Sequence, residues 1–198
     1  MRTGQDPGRP LRADARRNYE QLVAQAKAAF AEFGVDASLD EIARRAGVAS
    51  GTLYRHFPTR LDLIEVVLGE QIADLVDLGR ELLAAEDEFD ALATWLRATL
   101  DHGLTYRGLA AAVLNSELDR ERVSAWHAEL FEMGAGLLAR ARRSGAVTAA
   151  VEDADVLKVV GAIAWAAQDS PERSAQAARM LTLLLSGLRH GDPERPAH

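Results

Sequence analysis

The segment SLDEIARRAGVASGTLYRHFPTR, Ser38 to Arg60, decides how the rest of the chain is read. Ser38 followed three residues later by Glu41 is a capping-box pattern, and Leu39, Ile42, Ala43 and Ala46 repeat behind it at helical spacing. Gly47 stands where a left-handed residue stops a helix and turns the chain. Ser50 is the next N-cap candidate, opening a short helix through Thr52, Leu53 and Tyr54 to His56. Pro58 ends that helix, because the residue before a proline is pushed out of the α region. Thr59 with Asp62 then starts another. Two short helices joined by a glycine turn are the outline of a helix-turn-helix, the device that lays its second helix in the DNA major groove.

The side chains fit that device for chemical reasons. Ala43, Gly47, Leu53 and Phe57 are small or apolar and suit the tight angle between two crossing helices. Ser50, Gly51, Thr52, Tyr54, Arg55 and His56 alternate with them and face outward. Short hydroxyls and a glycine let a helix backbone approach base edges, while Tyr, Arg and His donate to phosphates. Ser38 and Arg44 on the preceding helix complete the DNA-facing candidates of this segment.

In this arrangement of residues, IARRAGVASGTLYRHFPTR resembles the DNA-binding segment of the TetR family of bacterial transcriptional regulators. The resemblance runs over roughly Arg12 to Val67, about a third of the chain. It implies a longer first helix, here with Tyr19, Leu22, Val23, Ala26, Phe30 and Phe33 on its apolar face and Gly34 at its end. It implies a recognition helix at Ser50–His56, with Thr52 at bases or phosphates and Tyr54 and His56 at backbone phosphates. Arg60 matches a position usually held by a phosphate-contacting lysine, so charge is kept and the geometry of the contact differs.

Bulk properties narrow the function classes. The chain has 198 residues, 48% of them apolar, enough for a DNA-binding unit plus a larger second domain. Zero cysteines exclude disulfides and thiolate metal sites. No apolar run approaches the roughly 20 residues of a membrane span, and MRTGQDPGRPLRADARR has no apolar core of a secretory signal. A cytoplasmic protein, at the nucleoid when on DNA, is the expectation. The net charge of −7 looks wrong for a nucleic-acid binder, but it is unevenly divided. Residues 1–67 carry ten Lys/Arg against nine Asp/Glu, a balance of +1, and the remainder carries −8. An acidic second domain costs little beyond the screening length of about 8–10 Å. Arg2 and Arg9 read as a solvated arm, whereas Arg16 and Arg17 are placed for phosphate or minor-groove contact.

Past Arg60 the chain reads as helices throughout. A long helix from Thr59 to Leu83 links the domains, Glu86, Asp87 and Glu88 precede the next, and Phe89, Leu92, Leu96, Leu100 and Leu104 form its stripe. Tyr106, Arg107 and Gly108 read as a turn before Leu109–Leu114, and Ala146–Val151 is the one strand-like stretch. Asp119 opens a segment that ends at Ser144-Gly145, with Arg140, Arg142 and Arg143 in its last turn. Asp153 or Asp155 caps the penultimate helix, and Pro171 begins the last one. The expected architecture is all-α with about nine helices: a flexible arm (1–11), a three-helix DNA-binding domain (12–60), a helical ligand-binding and dimerisation domain (61–190) and a flexible tail (191–198).

The last two helices are apolar on two faces, and too few helices remain to cover both. The simplest partner is a second copy of the chain, which the resemblance also implies, and the interface candidates are Val156, Val160, Ile163, Ala167, Ala178, Leu181, Leu184, Leu185 and Leu188. Aromatic or polar tips on otherwise apolar helices, namely Trp95, His102, Tyr106, Asn115, Trp126, His127, Met133, Trp165 and Gln168, outline a mostly apolar small-molecule pocket. No Glu-x-x-His pair, nucleophile elbow or Gly-rich phosphate loop is present, so neither an enzyme nor a cofactor or metal is expected. The expected function is a homodimeric regulator of a near-palindromic double-stranded operator, a repressor released by a small, largely apolar effector. The alternative is a DNA-binding regulator without such an effector, controlled by a partner or acting as an activator.

Overall fold

The computed structural model describes residues 8–114, 120–147, 151–168 and 170–190. Among them are eight α-helices and one 3₁₀ turn, and no strand. The helices are α1 (Gly8–Phe33), α2 (Leu39–Arg45), α3 (Ser50–His56), α4 (Arg60–Leu82), α5 (Glu88–Leu114), α6 (Arg120–Arg143), α7 (Asp153–Ala166) and α8 (Arg173–His190), with the 3₁₀ turn Gly34–Asp36 after α1. The described residues fall into two compact units, one drawn from Met1–Leu68 and Gly108–Leu118, the other from Gly69–Arg107 and Asp119–His198.

The first unit is built on small helices with well-made ends. Ser38 Oγ accepts from the Glu41 amide at 3.3 Å and caps α2. Gly47 takes φ 70°, and the Val48 amide returns to the Ala43 carbonyl at 3.0 Å, closing the helix by the left-handed stop that glycine permits. At the start of α4 the box is reciprocal: Asp62 Oδ2 accepts from the Thr59 amide (2.7 Å) and hydroxyl (2.8 Å), and the Asp62 amide donates back to Thr59 Oγ1 at 3.2 Å. Beneath these ends, α1 packs on α2 and α2 on α3. Leu22, Ala26 and Phe30 of α1, Ile42 of α2, Leu53 of α3 and Leu63, Ile64 and Val67 of α4 are fully buried.

The second unit is centred on Trp95, which has no exposed surface. Its indole Nε1 donates to the Leu75 carbonyl of α4 at 2.8 Å, satisfying the polar end of an otherwise apolar residue. Glycines make room for the indole: a Cβ at Gly134 of α6 would stand 2.9 Å from Trp95 Cζ3, and one at Gly79 of α4 3.0 Å from its Nε1. Around it Leu92, Leu96, Leu137, Ala141, Val160, Ile163, Leu181 and Leu188 form one continuous core. Arg140, in the last turn of α6, donates to the Leu82 carbonyl (3.2 Å) and the Ala85 carbonyl and lies 3.6 Å from Glu88. It thereby ties down the α4–α5 connection.

Four local expectations are corrected. Ser50 is the first residue of α3 rather than its cap; Ala49 holds the cap position, with no side-chain bond. Neither Asp153 nor Asp155 caps α7, whose cap position belongs to Glu152; both sit in the first turn, and Asp153 pairs with Arg142 at 2.5 Å. The turn expected at Tyr106–Gly108 is absent, because α5 runs unbroken through it. A glycine costs a helix interior only about 1 kcal/mol relative to alanine, which tertiary packing overrides. Of the strand-like stretch, Ala146 and Val147 are irregular and 148–150 lie outside the described residues.

Candidate nucleic-acid interface

The outward face of α3 follows from what it buries. Leu53 has no exposed surface and Phe57 is 2% exposed. These two anchors turn Gly51, Tyr54 and Arg55 to solvent, with Ser50, Thr52 and His56 half-exposed. Tyr54 is 46% exposed, a large side chain left on the surface of a well-packed unit. Gly51 has nothing within 4 Å of where a Cβ would stand, so this part of the helix can meet another surface at backbone distance. Arg55 folds back along its own helix, its Nε donating to the Gly51 carbonyl at 3.1 Å and its Nη2 to Thr52 Oγ1 at 3.4 Å. His56 lies edge-on to the Tyr19 ring at 5.8 Å and 6.2 Å from Phe57, so α1 braces the C-terminal end of α3 through aromatic contacts.

Positive charge around this face is organised by Glu41. Its carboxylate accepts a bidentate pair from Arg44, Nε and Nη2 both at 2.7 Å, and a third bond from Arg45 Nε at 2.9 Å. The Arg44 bonds first, then the Arg45 bond, lower the Glu41 pKa from 4.5 to about 2. Arg45 also reaches Glu32 of α1 at 3.2 Å and lies 5.6 Å over the Phe33 ring. That contact accounts for Phe33, which was expected on the apolar face of α1 but is 53% exposed. Arg16 and Arg17 sit on α1 as expected, exposed and paired with Glu20 (3.1 Å) and Asp14 (3.8 Å). Exposed pairs of this kind are weak and yield readily to a phosphate. Arg60 is placed differently: its Nη1 donates to the Val35 carbonyl at 2.9 Å and to the Ala37 carbonyl. The Glu41 bridge had a sequence signal, a glutamate three and four residues before two arginines. The Arg60 contacts had none, because their partners are backbone atoms some 23–25 residues away in sequence.

In the second unit the expected pocket residues do not form one set. Trp95 is core, Tyr106 is 9% exposed, and the ring of His102 lies 5.4 Å from that of Tyr106. Trp126 abuts Gly69, and Met133 abuts Gly79. Gln168 is half-buried just past α7, and Trp165 is 69% exposed, which removes it from any interior site. Asn115 and the side chain of His127 lie outside the described residues. An open groove of about 400 Å³ runs between α4 and α6, lined by Val76, Arg80, Leu83, Glu129, Glu132, Met133 and Gly136. Met133 is the one residue that it shares with the expected set.

The expected interface residues are also redistributed. Val156, Val160, Ile163, Ala167, Leu181, Leu185 and Leu188 are each 6% exposed or less, inside the core of their own unit, and Leu184 is half-buried. The faces left outward carry Val159 (41% exposed), Trp165 and Ala178, with Leu183 at 74%. Of the nine expected interface residues, seven thus lie in the core of their own unit, Leu184 is half-buried and Ala178 is on the outward face. Hydrophobicity alone does not say which face of a doubly apolar helix its own core takes.

Comparison with known proteins agrees with this geometry. Residues 22–67 match the model of the bacterial regulatory proteins of the tetR family, and residues 87–190 match the C-terminal domain of SbtR-like transcriptional regulators. An uncharacterized HTH-type transcriptional regulator of Mycobacterium tuberculosis is 35% identical over 132 residues, covering 64% of this chain and 68% of its own. The crystal structure of a TetR transcriptional regulator from Streptomyces coelicolor superposes with a TM-score of 0.72 at 35% identity, covering 86% of this chain and 97% of that one. The regulator FadR of Bacillus subtilis, solved in complex with stearoyl-CoA, shares the fold at a TM-score of 0.60 and 19% identity, over 85% of this chain and 98% of its own. With a family model over each unit and a helix-turn-helix presenting its second helix to solvent, the chain belongs to the TetR family of DNA-binding transcriptional regulators.

Proposed function

We propose that the chain acts as a homodimeric repressor of a near-palindromic operator and is released from it by a small, largely apolar effector bound in the second unit. The observation that carries the dimer is the outward face of α7 and α8, where Trp165 and Leu183 are 69% and 74% exposed. Large apolar side chains at that exposure on neighbouring helices call for a partner surface, and an isologous one is supplied by a second copy. Two recognition helices related by a two-fold meet successive major grooves about 34–36 Å apart, hence the palindrome. Ser50, Gly51 and Thr52 read bases or phosphates, and Tyr54, His56 and Arg60 hold the backbone, with Arg16, Arg17, Ser38, Arg44 and Arg55 contributing at the margins.

For the effector, the groove between α4 and α6 combines the apolar Val76, Leu83 and Met133 with the polar ends of Arg80, Glu129 and Glu132. The complete burial of Trp95 favours a second reading, a regulator without an internal effector, since a ligand there must displace the indole. One experiment separates the two. Acyl-CoA thioesters, the ligand class seen with the Bacillus relative, and free fatty acids are titrated against tryptophan fluorescence with and without operator duplex. An effector must bind more weakly to the operator-bound protein by the factor by which it weakens operator binding. Equal affinities in the two titrations would remove effector control by these compounds and leave the second reading.

A further inference from the structure

Arg60 opens α4, where a cation faces the positive end of the helix dipole and is not favoured for its own sake. Its location is explained by the segment it reaches. The Val35 and Ala37 carbonyls belong to the connection between the end of α1 and Ser38, the cap of α2, and both accept from the same nitrogen, Nη1. Nη1 carries two hydrogens, one for each carbonyl, so this half of the guanidinium is saturated. What remains is the Nε–H and Nη2 edge, which has no partner among the described residues. The same edge of Arg44 grips Glu41 bidentately in this chain, both contacts at 2.7 Å. It matches two oxygens of a phosphate equally well.

We propose that Arg60 is a positioning residue: by holding the Val35 and Ala37 carbonyls through Nη1 it fixes the entry of α2, and so orients its Nε/Nη2 edge for the phosphate contact proposed above. One rigid side chain then sets the helix-turn-helix against the backbone it sits on. This rests on the reading of this face as the DNA contact surface. Arginine suits the task and lysine does not, because an ammonium offers three donors from one point and cannot serve two carbonyls and a phosphate in one plane.

The test uses the full-length protein and two duplexes, one selected by the wild type from a random-sequence pool and a scrambled control of the same length. Arg60→Lys keeps the charge, so the salt dependence of binding stays as in the wild type. It loses the double carbonyl contact, so affinity for the selected duplex falls about tenfold, that for the scrambled duplex changes less than about twofold, and amide exchange at residues 35–42 accelerates. Arg60→Gln removes the charge as well and lowers the salt slope by about 0.9 on both duplexes. Wild-type affinity and exchange in Arg60→Lys would overturn the clamp, and an unchanged slope in Arg60→Gln would overturn the phosphate contact. Failure of the DNA-contact reading shows itself differently, as a wild type that selects no duplex at all.

Discussion

Gly134 and Gly136 lie two residues apart on α6, and alanine at these positions should act with opposite sign. At Gly136 an added Cβ meets nothing within 4 Å. Gly136→Ala therefore collects only the helix-propensity gain, about 1 kcal/mol of stabilisation. At Gly134 the same methyl would stand 2.9 Å from Leu157 Cδ1, 2.9 Å from Trp95 Cζ3 and 3.0 Å from Trp95 Cη2. Carbon contacts relax at about 3.5–4.0 Å, so the neighbours must retreat by more than half an ångström. Leu157 can turn its methyl aside, but Trp95 is held by its bond to the Leu75 carbonyl and by complete burial. Overpacking of this kind costs about 1–3 kcal/mol, which exceeds the same 1 kcal/mol gain and leaves Gly134→Ala destabilised by about 1 kcal/mol. The two variants thus differ by about 2 kcal/mol, or about 4–8 °C in Tm for a chain of this size. Thermal unfolding followed by circular dichroism and by tryptophan fluorescence measures it. A Gly134→Ala protein melting at or above Gly136→Ala would refute the close packing of Trp95 between α4 and α6.

Other consequences follow from the two faces and the charged bridge. Thr52→Ala should change the ranking among operator variants, whereas Tyr54→Phe should weaken all duplexes alike, as competition binding over a substituted operator set will read. Leu183→Asp should give a folded monomer by sedimentation, while Leu181→Asp, at a position 2% exposed, should unfold the second unit. Glu41 is ionised more readily in the folded chain, its pKa lowered from 4.5 to about 2. Its contribution is therefore fully present above about pH 4.5 and fades as pH falls toward 2. The urea midpoints of wild type and Glu41→Gln should accordingly differ at neutral pH and converge across that window, with the gap at neutral pH narrowed by salt.

Local chemistry in this chain was legible from its letters. Caps, stops and periodicity act within a few residues, so Ser38 with Glu41, Gly47, Thr59 with Asp62 and the Gly145 stop after α6 could be placed before any packing was known. The same locality made the helix-turn-helix and its outward side chains readable, since Leu53 and Phe57 determine which way Tyr54 points. Where a local signal was weak it misled: Gly108 is a common breaker, yet α5 passes through it, since a glycine costs a helix interior only about 1 kcal/mol relative to alanine. Tertiary structure alone decided which face of α7 and α8 turns inward, since Val160 and Trp165 are both apolar and only the surrounding helices distinguish them. It likewise made Trp95 a core residue rather than a pocket wall, through two glycines on different helices that no spacing rule connects. It also gave Arg60 a pair of backbone carbonyls, because contacts to main-chain oxygens far along the chain leave no mark in residue type.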